Sequence, residues 1–292
     1  MKKLISIIIV TYNSQKLIFD CLSSIIAQND IGNSLEIIVV DNSSDDVDNI
    51  FDRIKDQFGE NIILVKNKIN GGYGQGNNVG IKIASAPIIM IMNPDVRLFI
   101  PIFQKAIAHF SKENVVMLGM SQWASPYKKV RAFGFDSVKI NYYTELLISK
   151  IAFKLDLYNQ KLMHISGACF FLRKESFENI GGFDENIFMY GEEVDIKFGL
   201  LSKNCKNKIR YDNKMKYIHL MGNREYNFTK DKKIIHSRIY VCNKFNITSI
   251  KYIKNKILSI KFRLSKIKEN NDLKKEYRNT LQYLNEKKHE CS

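Results

Sequence analysis

Apolar residues fall in short blocks along the first hundred positions, and a polar cluster closes each block. Residues 4–10 (LISIIIV) form a continuous β-branched run, the pattern of a strand buried on both faces. Ser14 is placed to cap a following helix, in which Leu17, Cys21, Leu22 and Ile25 recur at helical spacing. Residues 35–40 (LEIIVV) predict a second strand, 45–58 a helix and 61–65 a third strand. A glycine-rich turn over 70–76 leads into a helix through 78–84, and Pro87 opens a fourth strand over 88–92. Strand and helix alternating at this interval predict βαβ units and a parallel sheet.

The pattern then becomes less regular. Residues 102–110 read as a helix, 115–120 as a strand, and 123–149 carry no clear period. A further strand is expected over 164–173, a short helix over 174–180, and a helix over 192–201 with Val194, Phe198 and Leu201 on one face. Residues 247–264 and 272–287 read as amphipathic helices with charged faces.

Charge changes the picture of the last third. The 292 residues carry a net charge of +15, and 45% of them are hydrophobic, enough for a sizeable core. Residues 1–100 hold 9 basic and 11 acidic side chains, whereas residues 203–292 hold 24 and 8. The basic excess is thus confined to one end, where it points to an anionic surface. No apolar run approaches the ~18–20 residues of a membrane span, and the N-terminal run is too short for a signal peptide. The five cysteines are scattered without C-x-x-C spacing, so neither a disulfide framework nor a zinc site is expected and a reducing cytoplasm fits.

Ligands of an open parallel sheet bind beyond the carboxyl ends of its strands. Four polar clusters fall at such ends: Thr11-Tyr12-Asn13, Asp41-Asn42, the segment 70–76 and Asn93-Pro94-Asp95. Taken singly, each is also what a turn or helix cap needs. The glycines are neither G-x-G-x-x-G nor a P-loop, which disfavours a dinucleotide dehydrogenase and a P-loop nucleotidase. They still leave backbone N–H groups room to approach an anion at a helix N-terminus. Further on, Glu192, Glu193 and Asp195 place three carboxylates within four positions. Glu192 and Asp195 share a helix face and Glu193 points about 100° away. One of the three could act as a general base, or the triplet could simply favour a helix start.

In order and spacing these blocks resemble the inverting family-2 glycosyltransferases of GT-A fold, especially the rhamnosyltransferase-like branch. The resemblance covers residues 4–200 and rests on Ile9 to Ser14, Ile38 to Ser44, Asn70 to Ile81, Met92 to Asp95, and Ser166 through Gly182-Phe183-Asp184-Glu185 to Asp195. It implies an α/β fold with a mostly parallel, Rossmann-like sheet flanked by helices. A domain over 1–222 would comprise a nucleotide-sugar half (about 1–97) and an acceptor half (about 98–222), and residues 223–292 would form a basic helical extension. It further implies that Thr11, Tyr12 and Asn13 form the donor-site block, with Tyr12 against the base. Asp41 would read the pyrimidine N–H, Gly72 and Asn78 would line the nucleotide site, and Gly167 would sit by the donor sugar. Asn93 and Asp95 stand where the family has its metal-binding D-x-D motif, Asn93 replacing the first Asp, so that Asp95 would hold Mg²⁺ or Mn²⁺. His219, in His219-Leu220-Met221-Gly222, resembles a downstream His near the same diphosphate. Glu193 aligns with the expected base although the family's usual pair is Glu-Asp; Glu192 is the rival, and Glu192 and Asp195 are placed on the acceptor side.

The implied substrates are a nucleotide-diphosphate sugar, with dTDP-rhamnose or a UDP-hexose favoured, and a saccharide acceptor, lipid-linked, for a bacterial surface polysaccharide such as O-antigen or capsule. The tail over 249–292 interleaves 12 Lys and Arg with Ile250, Ile253, Ile257 and Ile260, the pattern of a helix lying on an anionic leaflet. That placement suits a cytoplasmic protein held at the inner face of the membrane. Three competing readings are a catalytically silent GT-A-like scaffold, a sugar nucleotidyltransferase and a nucleic-acid-binding protein. The chain lacks a basic glycine-rich loop after its first strand, against the second, and any RRM, KH, zinc or helix-turn-helix signature, against the third.

Overall fold

The computed structural model describes residues 2–220 and 225–291. The four N-terminal apolar blocks become β1 (Ile5–Thr11), β2 (Leu35–Asp41), β3 (Ile62–Lys66) and β4 (Ile88–Met92). They lie in the order β3-β2-β1-β4, all parallel. Helices cover both faces, which is why these strands are mostly apolar. On one side α1 (Gln15–Ala27) and α2 (Val47–Phe58) bury Ile18, Leu22, Phe51 and Ile54; on the other α3 (Gly72–Ile83) buries Ile81. Two local expectations change. Ser14 makes no side-chain cap, its hydroxyl donating instead to the Tyr12 carbonyl at 3.1 Å. The glycines over 72–76 are not a turn ahead of the helix but the opening of α3 itself.

Past β4 the sheet is mixed. Strand β10 (Cys169–Arg173) runs antiparallel to both β4 and β6 (Val115–Ser125). Strand β11 (Lys208–His219) is parallel to β6, and β5 (Val96–Leu98) pairs with the end of β11 at the far edge. A short β7 (Lys128–Lys129) folds back on β6, and α4 (Phe103–Phe110) packs beneath. The single strand expected over 164–173 is two, because the chain leaves the sheet at residues 166–168: β9 (Met163–Ile165) pairs with β8 (Phe133–Phe135) in a separate small sheet. Helix α5 (Tyr142–Leu155) starts within the stretch that showed no period and runs past its end. Helices α6 (Lys174–Glu178) and α7 (Glu192–Lys203) match expectation.

The C-terminal third forms α8 (Phe228–Lys244), α9 (Ile250–Lys266) and α10 (Asn271–Glu290). Val241 of α8 packs with Val194 and Phe198 of α7. The Asn255 amide donates to the Ser137 and Ile140 carbonyls at 2.6 and 2.8 Å, tying α9 to the body. Ile253, Ile257 and Ile260, expected to face a membrane, are buried with Ile235, Tyr277 and Leu284 between the three helices. The expected domain division at residues 222 and 223 lies outside the described residues. All five cysteines are free, and no helix among the described residues is long and apolar enough to cross a membrane.

Candidate active site

The parallel register sets Thr11 beside Asp41 at the ends of β1 and β2. The Thr11 hydroxyl donates to Asp41 Oδ2 at 2.8 Å, the Ser44 hydroxyl donates to the same oxygen at 2.7 Å, and the Ser44 N–H donates to Oδ1 at 2.7 Å. Asp41 is only 1% exposed. This carboxylate therefore shapes the lip from below. Asn13, in the left-handed region with φ 48°, donates its N–H to Ser44 Oγ at 2.8 Å. Tyr12 stands out of the lip, 53% exposed, with its ring free to receive a flat ligand.

The start of α3 is pinned to its neighbours. Asn42 donates to the Gly72 carbonyl at 2.9 Å, and the Tyr73 N–H donates to the Phe188 carbonyl at 3.0 Å. Gly72 has φ +91°, and a Cβ there would collide with the Phe188 carbonyl. The glycine is thus needed for close approach of the 188 loop. The Gly72 N–H donates to Asn70 Oδ1 at 3.2 Å, so these first N–H groups already have partners, contrary to the expectation of a bare anion cradle. Asn78 also differs from expectation. Its amide donates to the Phe183 carbonyl at 2.9 Å and accepts from the Phe183 N–H at 2.9 Å, so it clamps the loop after Gly182.

A cavity of about 710 Å³ opens beyond the strand ends, and Asn93, Gly167, Glu192, Glu193 and His219 are on its wall. Thr11, Asp41, Gly72, Asn78 and Asp195 are not among its lining residues. Asp95 reaches the cavity through His219: pairing of β5 with β11 brings His219 Nε2 to 3.1 Å from Asp95 Oδ2. His219 is buried, and its Nδ1 has no hydrogen-bond partner among the described residues.

The opposite wall is the start of α7. Gly191 (φ 112°) turns the chain so that Glu192 and Glu193 both enter the cavity. Glu192 is 6% exposed, and Oε1 has no hydrogen-bond partner among the described residues. Burial, then the neighbouring Glu193 charge, pushes its pKa up to about 8. Glu193 Oε1 accepts from Arg238 Nη2 at 3.1 Å. A Cβ at Gly167 would lie 3.8 Å from Glu193 Oε2, so that oxygen points at the Gly167 backbone. The Gly167 carbonyl is held by the Tyr73 hydroxyl at 2.6 Å. Asp195 does not join them. It is buried in an ion pair with Lys244 at 2.7 Å, and Lys244 also grips Asp184 at 2.7 Å.

Behind Glu193 runs a buried chain of charge. Arg238 Nη2 lies 3.2 Å from His164 Nε2, and His164 Nδ1 is 2.8 Å from Asp136 Oδ1. Asp136 is also paired with buried Lys197. Burial works to raise the Asp136 pKa, but His164 and Lys197 outweigh it and hold the carboxyl below its ordinary value. With Asp136 ionised, His164 donates from Nδ1, accepts at Nε2 and so fixes the guanidinium. Sequence reasoning passed over Tyr73, His164 and Arg238. His164 sat inside an apolar run that read as a strand, and nothing set Arg238 apart from the other basic residues of its region.

The profile of glycosyl transferase family 2 matches residues 6–181, more than half of the chain. A poly(ribitol-phosphate) beta-glucosyltransferase of Bacillus spizizenii is 38% identical over 93 residues, 31% of this chain and 14% of that protein's length. Among solved structures, the mannosyltransferase PcManGT of Pyrobaculum calidifontis, in complex with GDP-Man and Mn²⁺, superposes with TM-score 0.58 at 15% identity, covering 97% of this chain and 70% of that one. Residues 1–349 of S. aureus TarS, in complex with UDP, superpose with TM-score 0.54 at 18% identity, covering 82% and 65%. GalNAc-T7 with UDP, GalNAc and Mn²⁺ gives TM-score 0.63 at 12% identity, covering 98% and 56%. The solved structures share the GT-A fold with this protein, and by its sequence the chain belongs to glycosyl transferase family 2.

Proposed function

We propose that this glycosyltransferase passes a sugar from a pyrimidine nucleoside diphosphate to a lipid-linked saccharide acceptor, with inversion at the anomeric carbon, in the synthesis of a bacterial surface polysaccharide. The carrying observation is that Glu193 and His219 line one cavity, with Asp95 hydrogen-bonded to His219 behind it. The motif order fits the rhamnosyltransferase-like branch and dTDP-rhamnose. The glucosyltransferase relative and the UDP bound to TarS favour a UDP-hexose, which we take as the first choice.

The acceptor hydroxyl approaches Glu193 Oε2, the oxygen that Arg238 leaves untouched, and gives up its proton there as it attacks. Attack comes from the face opposite the diphosphate, so the configuration inverts. Glu192, protonated near neutral pH, presents an O–H to a sugar oxygen in the same cavity. Tyr73 holds the Gly167 backbone, and so the floor of the site, in place. Tyr12 lies against the base, and Asp41 keeps the lip in shape.

The residues present fit a divalent cation. No cluster of three ligating side chains occurs among the described residues. Asp95 Oδ2 and His219 Nε2, a carboxylate oxygen and an imidazole nitrogen, lie 3.1 Å apart, close enough to serve one ion together. Such ions often take one or two protein ligands and fill the rest with phosphate oxygens and water. Asp95 and His219 would hold Mg²⁺ or Mn²⁺ here, and the ion would offset charge gathering on the departing diphosphate.

Thermal unfolding with a panel of UDP-, dTDP- and GDP-sugars, each with and without Mn²⁺, tests the reading. A UDP-hexose is expected to raise the Tm most, and more so with Mn²⁺. Stabilisation by no pyrimidine nucleotide sugar would overturn it.

A further inference from the structure

The apolar stripe that the sequence offered to a membrane is covered, yet another one is bare. Helix α5 buries Ser149 and Ala152 and sets Phe153 against Phe133 with ring centroids 5.1 Å apart. Its outward side is apolar where solvent should meet polar groups. Tyr143, Leu147, Ile151 and Leu155 recur every four residues and are all exposed, Leu147 by 74% and Ile151 by 59%. Leu146 is exposed beside them. Lys150 and Lys154 share this side, both exposed, and neither has an ion-pair partner among the described residues. No carboxylate stands on it: Glu145 is turned inward and half-buried, and Asp156, just past the helix, is held by Ser121 and Tyr211.

The neighbouring end of α9 continues the surface. Phe262 is exposed there, its ring 6.3 Å from that of Tyr142. Exposed Lys261 and Arg263 flank it. The inward side of α5 touches the cavity wall. Arg131 is on the cavity wall, and its guanidinium lies over Phe153 of α5 at 4.1 Å from the ring centroid.

We propose that the outward face of α5, with the basic end of α9 beside it, docks onto a leaflet of anionic phospholipid. Apolar side chains at helical spacing enter the boundary between headgroups and acyl chains, and interleaved lysines reach headgroup phosphates with their stems lying along the apolar layer. A second copy of this chain is a poorer occupant. Two-fold contact through the same face would bring Lys150 and Lys154 of both copies together near its centre, desolvated and without acid partners. The inference goes beyond the transferase reading and does not rest on it, because vesicle binding is measured without turnover.

Flotation of the full chain with vesicles of phosphatidylglycerol and phosphatidylcholine tests it, against phosphatidylcholine alone. Two surface variants, Leu147→Glu with Ile151→Glu and Lys150→Glu with Lys154→Glu, are compared with a control elsewhere, Lys55→Glu with Lys112→Glu, whose charge change equals that of the lysine variant and exceeds that of the other. Circular dichroism and thermal unfolding check that each keeps its fold. The unaltered chain is expected to float with the anionic vesicles and to be released by salt. Each α5 variant should lose about tenfold or more in binding, and the control far less. Three results would each overturn the proposal: no flotation of the unaltered chain, equal loss in the control, or full binding by the Leu147→Glu, Ile151→Glu variant. Light scattering that finds a dimer abolished by this last variant, with vesicle binding intact, would give the face to a second copy instead.

Discussion

The β1–β2 lip and the walls of the cavity treat their polar groups in opposite ways. On the β1–β2 lip, Asp41 takes hydrogen bonds from Thr11 and Ser44 through both its oxygens, and Asn42 and Asn67 join the same network. On the α7 wall and the facing β11 end, a Glu192 oxygen and His219 Nδ1 are buried without hydrogen-bond partners among the described residues, and Glu193 has one oxygen clamped by a cation. A folded protein seldom leaves buried polar atoms unmet. Where it does, strain, a chemical role, or a water or ion as partner accounts for it. The lip closes its polar groups on one another and the α7 wall leaves some of its own open, so substitutions on the two should fail differently.

The sharpest break is Glu193→Gln. It should lower kcat by about 10²–10⁴-fold while nucleotide-sugar binding and thermal stability hold. A Glu192→Gln variant losing as much, with Glu193→Gln active, would exchange the two roles.

Glu192 sharpens the comparison through pH. In the unfolded chain it ionises near 4.5, but in the folded protein it keeps its proton up to about 8. The unfolded form therefore releases the proton first, and this group lowers stability steadily as pH rises from about 4.5 to about 8, with no further cost above that. Glu192→Gln should cancel the decline. Urea unfolding at about pH 5 and about pH 8 should find the variant gaining on the parent by up to a few kcal/mol across that window. A gain that does not depend on pH would contradict a buried, protonated Glu192.

Arg238→Ala should slow turnover by about a hundredfold, because Glu193 loses its fixed orientation, with donor KM unchanged. The loss should vanish when Glu193 is already Gln. The same loss in both backgrounds would mean that Arg238 acts elsewhere. On the lip, Asp41→Ala should cost about 1–3 kcal/mol of stability, since Thr11 and Ser44 are left as buried donors without an acceptor. Unchanged unfolding would show that the network is idle.

The parallel half of the sheet was legible because each strand carries its own evidence: a β-branched run closed by a polar cluster. Topology then did the rest, since parallel strands with right-handed crossovers put all their carboxyl ends on one side. Asn93 and Asp95 could be placed that way. His219 was placed only by resemblance, and the pairing of β11 with β5 is what sets it beside Asp95. Helix α5 was missed because the apolar residues of 142–155 face both inward and outward, which blurs a helical period. The glycines of α3 misled for a related reason. Glycine signals a turn in sequence, but here it lets Gly76 pack against the Asn42 side chain, 2.6 Å from where a Cβ would stand.

The sequence by itself determined the four parallel strands, most helices, the family and a triplet of candidate carboxylates. Those follow from local periodicity and residue chemistry, which act over a few positions. Only the tertiary structure decided where each of these carboxylates lies. Glu193 faces the cavity with Arg238 behind it, Glu192 is desolvated beside it, and Asp195 turns away to Lys244. It also decided that the bare apolar face belongs to α5 and not to α9. Burial and charge pairing depend on segments tens of residues apart meeting in space, and no window along the chain contains both partners.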